Sequence, residues 1–418
     1  MINKGSIIVL LIFCAGLLLA QEPEKQDTIK LKDGFGSPDQ VDNALKQNRE
    51  PKQSVFDLGF LQGYFDWKDS LAKRTGFSYN IDYTGAYLWG SESLDNNDAG
   101  GGMVRFYSSW DLVNRGKSNS GAFIFKGSHR HKYGAISLQE LGFELGYVGM
   151  ELPPFNDDKF RLTNFYWRQR FLNDRISMVF GLLDATDYED VYMLASPWNG
   201  FFNLAFSTGS QAMYLPNDAA LGIAIGAYIT DNLYAIANIS DAGSMPTQPL
   251  ETFKTFFMNN DYFKTIEIGW VSSKEKFYHD NIHLNFWHSD GSDVTASLPG
   301  WGFVYSATHY FGNKWLPFIR GGFAKDGGTL LQKSLNAGTS FQNSQGGSQL
   351  GVAFGWGQPN ETTFSEGLRD QYTLEIYYRL QLSTRMEITP DLQYLIHPAL
   401  NPDASSIFMW GIRGRLVL

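Results

Sequence analysis

From Phe77 to the last residue the chain alternates apolar and polar side chains at every second position. Phe77, Tyr79, Ile81, Tyr83, Tyr87 and Trp89 fall on one side, and Ser78, Asn80, Asp82, Thr84 and Ala86 on the other, which is the period of an extended strand with one apolar face. The pattern returns in Val104, Phe106, Trp110, Leu112; in Ile176, Met178, Phe180, Leu182; in Leu221, Ile223, Ile225, Ile229; and in Phe408, Trp410, Ile412, Leu416, Leu418. It predicts strands at 77–89, 103–113, 120–131, 159–171, 175–184, 218–230, 232–240, 261–272, 280–289, 301–312, 315–324, 332–341, 348–357, 370–382, 385–395 and 406–418.

The connections carry a second signal. Those after even-numbered strands are short, such as Leu172-Asn173-Asp174 or Asn313-Lys314, and those after odd-numbered strands are mostly longer, reaching 185–217 and 241–260. An even strand number with short turns at one end and long loops at the other predicts an all-β, transmembrane, antiparallel up-and-down β-barrel of 16 strands, both termini lying in the periplasm. A soluble sandwich or propeller would show the same alternation. Strand length, a leader segment, and Tyr and Trp near the strand ends favour the membrane barrel, because amphipathic rings prefer the two membrane interfaces.

Upstream of the barrel the pattern differs. Lys4, the apolar run Ile7 to Leu19, and Ala20 before Gln21 predict a secretory signal peptide at 1–20, cleaved near Ala20. A lipoprotein reading on Cys14 is disfavoured by Phe13, which stands where lipidation needs a small residue. Residues 21–55 are charged and poor in aromatics, the composition of a flexible polar periplasmic tail. Residues 56–76 predict a short amphipathic N-terminal helix, with Leu58, Leu61, Phe65 and Leu71 on its apolar side and Gly76 at its end. The barrel then occupies 77–418.

Composition narrows the classes. A bundle of membrane helices needs several apolar runs of about 20 residues, and the 418-residue chain has one, at its N-terminus. A net charge of −9 and a pI near 5.3 argue against a nucleic-acid binder. One cysteine excludes a disulfide framework.

If the apolar faces meet lipid, the alternate positions face the lumen. They include Arg105, Asp111, Lys126, Arg130, Arg168, Arg170, Arg320, Glu375, Arg379, Glu387, Asp391, Arg413 and Arg415, a charge density that implies water. Sixteen strands also enclose more space than side chains fill, so a channel follows.

The connection from Asp184 to Asn217 is the most informative stretch. It carries Asp184, Asp187, Glu189 and Asp190, then an uncharged run, Val191 to Tyr214, that holds Tyr192, Trp198, Phe201, Phe202 and Phe206. The inward positions of the flanking strands are small: Ser177, Val179 and Gly181 before it, and Ala220, Gly222, Ala224 and Gly226 after it. This loop is expected to fold into the barrel against that wall as a constriction. Carboxylates that accept, guanidinium groups that donate and aromatic faces suit a neutral polyhydroxylated solute. The candidate substrate-binding and constriction residues are Arg168, Arg170 and Arg130, set opposite Asp184, Asp187, Glu189 and Trp198. Any one of them could instead brace the loop through a salt bridge.

Other constellations are weaker. His129 with His131, and His279 with His283, lack a third metal ligand. Asp95 to Asp98 and Asp290-Gly291-Ser292-Asp293 are incomplete as calcium loops. No catalytic, cofactor-binding or metal-site motif is found, so no enzyme activity and no cofactor are expected.

Several stretches resemble the carbohydrate-selective porins of the OprB type. They are Trp67-Lys-Asp-Ser-Leu-Ala-Lys-Arg-Thr-Gly76; Phe165-Tyr-Trp-Arg-Gln-Arg-Phe171; Gly181-Leu-Leu-Asp184; Phe201-Phe-Asn-Leu-Ala-Phe206; Glu375-Ile-Tyr-Tyr-Arg-Leu-Gln-Leu382; and Thr389-Pro-Asp-Leu-Gln-Tyr394 followed by Pro398. The likeness spans roughly Trp67 to Leu418. It implies a sixteen-stranded porin of the bacterial outer membrane, passing monosaccharides such as glucose through an Arg- and acid-lined constriction, as a homotrimer or a monomer. Two positions depart from the family: Leu182 replaces a basic residue before the Leu-Asp pair, and Leu418 stands where many such barrels end in Phe. The expected partners are small-molecule sugars and outer-membrane lipid. The alternatives are a channel for small organic or inorganic anions, or a barrel-borne surface enzyme or adhesin.

Overall fold

A computed structural model describes residues 35–56, 58–344 and 346–418 of the chain. Sixteen antiparallel strands follow one another around a closed barrel. They are β1 (Phe77–Gly90), β2 (Asp98–Val113), β3 (Gly121–Lys132), β4 (Lys159–Phe171), β5 (Ile176–Leu183), β6 (Ala220–Tyr228), β7 (Leu233–Asp241) and β8 (Tyr262–Val271). The circuit continues through β9 (Asn281–Ser289), β10 (Gly300–Thr308), β11 (Trp315–Asp326), β12 (Leu331–Gln342), β13 (Gln349–Pro359), β14 (Gln371–Ser383), β15 (Met386–Ile396) and β16 (Ser406–Val417). β16 closes on β1, with Thr84 opposite Arg415 and Trp89 opposite Trp410. Closure pairs every strand edge, which a sheet in hydrocarbon requires.

The side-chain distribution is inverted relative to a soluble protein. Ile223, Ile225, Ile266, Ile268, Phe286 and Ile412 are exposed on the outside, while Asp82, Arg105, Glu267, Arg320 and Arg413 are buried within. A sandwich or propeller would bury those apolar stripes against each other, so the membrane reading of the alternation holds. At the short-turn end the chain reverses between β4 and β5 through Leu172, Asn173 and Asp174, all left-handed (φ 50, 57 and 62°). The Asn and Asp side chains tolerate that conformation without glycine.

Among the described residues, two α-helices precede the barrel. α1 (Val41–Gln47) is capped by Gln40, whose side chain accepts from the amides of Asp42 and Asn43. α2 (Gln62–Thr75) lies within the expected helical span and stops at Gly76, whose φ of 76° ends the helix without a Cβ penalty. It sits at the short-turn end, where Lys68 donates to the Leu418 carbonyl and to Asn80, both at 2.8 Å.

α1 departs from the expectation. The signal peptide and residues 21–34 lie outside the described residues. The rest of the span read as a polar tail, however, enters the barrel: Val41 and Leu45 are fully or almost fully buried and belong to the lumenal apolar cluster, against which Phe35 and Ala44 pack. The physical reason is the nature of the cavity. A barrel lumen offers polar partners beside an apolar patch, so a mostly polar segment orders itself there on the short apolar face of Val41 and Leu45.

Candidate channel constriction

The long connection between β5 and β6 folds into the lumen, and charged side chains of the wall hold it there. Asp190 receives Arg320 of β11 at 2.5 Å, His283 of β9 at 2.7 Å and the Gly209 amide at 2.6 Å. Glu375 of β14 accepts from the amides of Phe202 and Asn203 at 2.6 and 3.1 Å. Arg413 of β16 donates to the carbonyls of Pro197 and Gly200 at 2.7 and 3.0 Å. Tyr192, Phe201 and Phe206 pack on Phe318 and Tyr377 of β11 and β14. Much of the inward charge of β8 to β16 therefore anchors the loop. Breaking any one such pair strands a buried charge.

Facing the opposite wall, of β2 to β4, the loop leaves a cavity of about 650 Å³ that opens toward the long-loop end. At its inner end lies Lys126 of β3, 3.0 Å from Asp187 and 3.4 Å from Asp184, with Asn164 of β4 donating to Asp187 at 3.2 Å. Higher up, Arg130 and Arg161 both reach Asp218, at 3.0 and 2.7 Å. Trp198 borders the cavity with the Arg105 guanidinium 3.6 Å from its ring centroid, and Arg105 pairs with Asp82. Four basic side chains line the space (Arg105, Lys126, Arg130, Arg161) against five carboxylates (Asp39, Asp158, Asp184, Asp187, Asp218). Burial, with Asp184 beside it and Lys126 opposing, pushes the Asp187 carboxyl up to about 7.

Four of the seven expected site residues, Arg130, Asp184, Asp187 and Trp198, line this cavity. The other three do not. Glu189 faces the β8–β9 wall, accepting from Thr265 and Asn285, both at 2.5 Å. There burial and the neighbouring Glu267 push it up to about 8. Arg168 and Arg170 turn to Asp42 of α1: Arg168 pairs with it directly, and Arg170 lies 3.8 Å away. They do not stand opposite Asp184 and Asp187, and strand register explains why. Arg168 is level with Val179, five residues short of Asp184, which at about 3.4 Å per residue is roughly 17 Å down the wall. Lys126 is level with Asn164, one residue beyond the Phe165–Leu182 pair, and so meets the end of β5.

Sequence reasoning placed Lys126 and Arg105 in the lumen without assigning them to the site, and it missed Arg161 and Asp218. Counting register outward from the tight β4–β5 turn is the signal that finds Lys126. The small inward wall also holds something unexpected. A Cβ on Gly226 would lie 2.6 Å from the ring of Phe35, so part of the space read as room for the loop is filled by the N-terminal segment. Among the described residues, no group of three or more His, Cys, Asp or Glu could hold a metal ion.

The model of the family described as carbohydrate-selective porin, OprB family, matches residues 70–300 and 301–418. A porin from Chlamydia felis, Porin AaxA, is 22% identical over 362 residues, covering 82% of this chain and 78% of that protein. Porin AaxA of Chlamydia abortus is 21% identical over 364 residues, with the same coverage. Among solved structures, the high-pH form of Pseudomonas putida OprB superposes with a TM-score of 0.69 at 13% identity, covering 88% of this chain and 99% of that one. A triple mutant of the Rhodopseudomonas blastica porin reaches a TM-score of 0.50 at 10% identity, covering 81% of this chain and all of the other.

Proposed function

The chain belongs to the OprB family of carbohydrate-selective porins, and from that premise we propose that it admits monosaccharides such as glucose by passive diffusion across the bacterial outer membrane. The observation that carries this reading is the loop-side cavity, where carboxylates and basic groups stand in pairs at nearly equal number and Trp198 also lines the space. A neutral polyol exchanges its hydration for such a surface, donating hydroxyls to Asp184, Asp187 and Asp218 and accepting from Lys126, Arg130 and Arg161. Trp198 and Pro197 supply an apolar wall for its C–H edges. No covalent step is involved. The binding elements are Arg130, Asp184, Asp187 and Trp198, joined by Lys126 and Arg161. Arg168 and Arg170 act on the N-terminal segment, and Glu189 acts on the docked loop.

An anion channel fits this cavity less well, because each of its basic groups already faces a carboxylate, Arg105 with Asp82, Lys126 with Asp187, and Arg130 and Arg161 with Asp218. Liposome swelling with a graded set of saccharides tests the proposal. Uptake of hexoses that falls steeply for larger saccharides is expected, and liposomes that swell with small anions but not with any sugar refute it.

A further inference from the structure

Beside the β5–β6 loop, the N-terminal segment is also inserted into the lumen. Ser37 and Asp39 line the loop-side cavity, whereas Pro38 between them lines a separate cavity of about 330 Å³ on the short-turn side. The wall between the two spaces is thus Ser37 to Asp39, together with loop residues 193–199. The two elements clasp each other: the Ser37 amide donates to the Asp187 carbonyl at 2.7 Å, and Ser196 donates to Asp39 at 2.8 Å.

The anchors are spread along one arc of the wall, from β2 to β6 and the β8–β9 turn. At one end Phe35 stacks on Tyr228 with ring centroids 4.5 Å apart, and meets Phe277 edge-on at 5.5 Å. At the other, Asp42 takes Arg168 and Asn48 donates to Tyr107 at 2.8 Å. Beyond Asn48 the chain is fastened to the barrel rim, with Arg385 donating to the Asn48 carbonyl and Val55 to the Leu382 carbonyl. Between Phe35 and Asn48 the contrast is sharp. Among the described residues, the single backbone hydrogen bond from this stretch to the barrel or its loop is Ser37 to Asp187. The strap is hinged at the rim and held by the Asp42 pairs with Arg168 and Arg170, the Phe35 aromatic nest, the buried side chains of Val41 and Leu45 and a few polar contacts, all of them side-chain interactions that can break without disturbing a strand ladder.

We propose that Phe35 to Asn48 is a gate across the channel, latched by Asp42 on Arg168 and Arg170 and by Phe35 over Gly226, and that solute passes when the strap swings toward the short-turn end. The proposal rests on the channel reading, but not on which solute the channel prefers.

The test is ionic conductance of the purified barrel in planar bilayers in potassium chloride, with heat-modifiable electrophoretic mobility confirming that each variant is folded. Asp42→Asn weakens the ion-pair latch and Phe35→Ala removes the aromatic one without altering charge. Each is expected to raise mean conductance several-fold by raising the open fraction. In a third variant, Asp39→Cys with Ser196→Cys, a short reducible bis-thiol crosslinker ties the strap to the loop. The current should then be lost and should return on reduction. Crosslinked channels that conduct like uncrosslinked ones overturn the gate, as does wild-type conductance in both latch variants. Sugar selectivity can fail independently, since none of these readouts contains sugar.

Discussion

The ammonium of Lys126 lies between two carboxylates of the infolded loop, 3.0 Å from Asp187 and 3.4 Å from Asp184. One strand of the wall thereby sets the charge balance at the inner end of the loop-side cavity. Neutralising that one cation should change what crosses. Lys126→Met leaves both carboxylates without their basic partner, and the reversal potential in a potassium chloride gradient should shift toward cation selectivity. An unchanged reversal potential would place Lys126 outside the conducting path.

Loop docking depends on ion pairs with no access to solvent. Arg320 and Asp190 are both completely buried, and removing one partner of such a pair costs about 3–5 kcal/mol because the other charge is left uncompensated. Arg320→Met is therefore expected to undock the loop while the barrel remains closed. Noisy, enlarged single-channel currents and protease cleavage between Val191 and Tyr214 would report it.

The docked loop should also loosen as pH rises. Glu189, raised to about 8, binds its proton more tightly when the loop is docked than when it is free in water. The docked state therefore holds more protons between the ordinary carboxylate range and about 8, and its stability falls as pH climbs through that window. Current noise should grow from about pH 5 to about pH 9, and Glu189→Gln should flatten the dependence. Noise that falls with pH would contradict the sign.

Gly226 gives a steric test of the N-terminal segment. Its missing Cβ would lie 2.6 Å from the Phe35 ring, so Gly226→Leu should evict Phe35 while leaving the β5–β6 ladder paired. Proteolysis of the segment before Asn48 should accelerate in that variant. Protection equal to wild type would mean that the ring is not held there.

The barrel was legible because its signal is repeated: every strand writes the same two-residue period, and errors at one end do not move the others. The constriction was only half legible. Alternation says that Arg168, Arg170 and Lys126 all point inward, but not at what height, and height decides which one meets Asp184. Glu189 was placed in the correct loop, yet its facing wall depends on the backbone turn at Asp190, a left-handed residue that composition does not reveal. The strap escaped for a different reason. Phe35, Val41 and Leu45 are its few strong apolar residues, and a polar stretch that satisfies itself inside a lumen reads the same as one that stays in water.

The central claim is that an uncharged polyol is recognised where Lys126, Asp184 and Asp187 meet. Single-channel current with glucose added in steps tests it most directly. The account predicts interruptions whose frequency rises with glucose concentration and which are sharply reduced in Lys126→Met. A current indifferent to glucose at every concentration, together with a strong preference for anions, would contradict it.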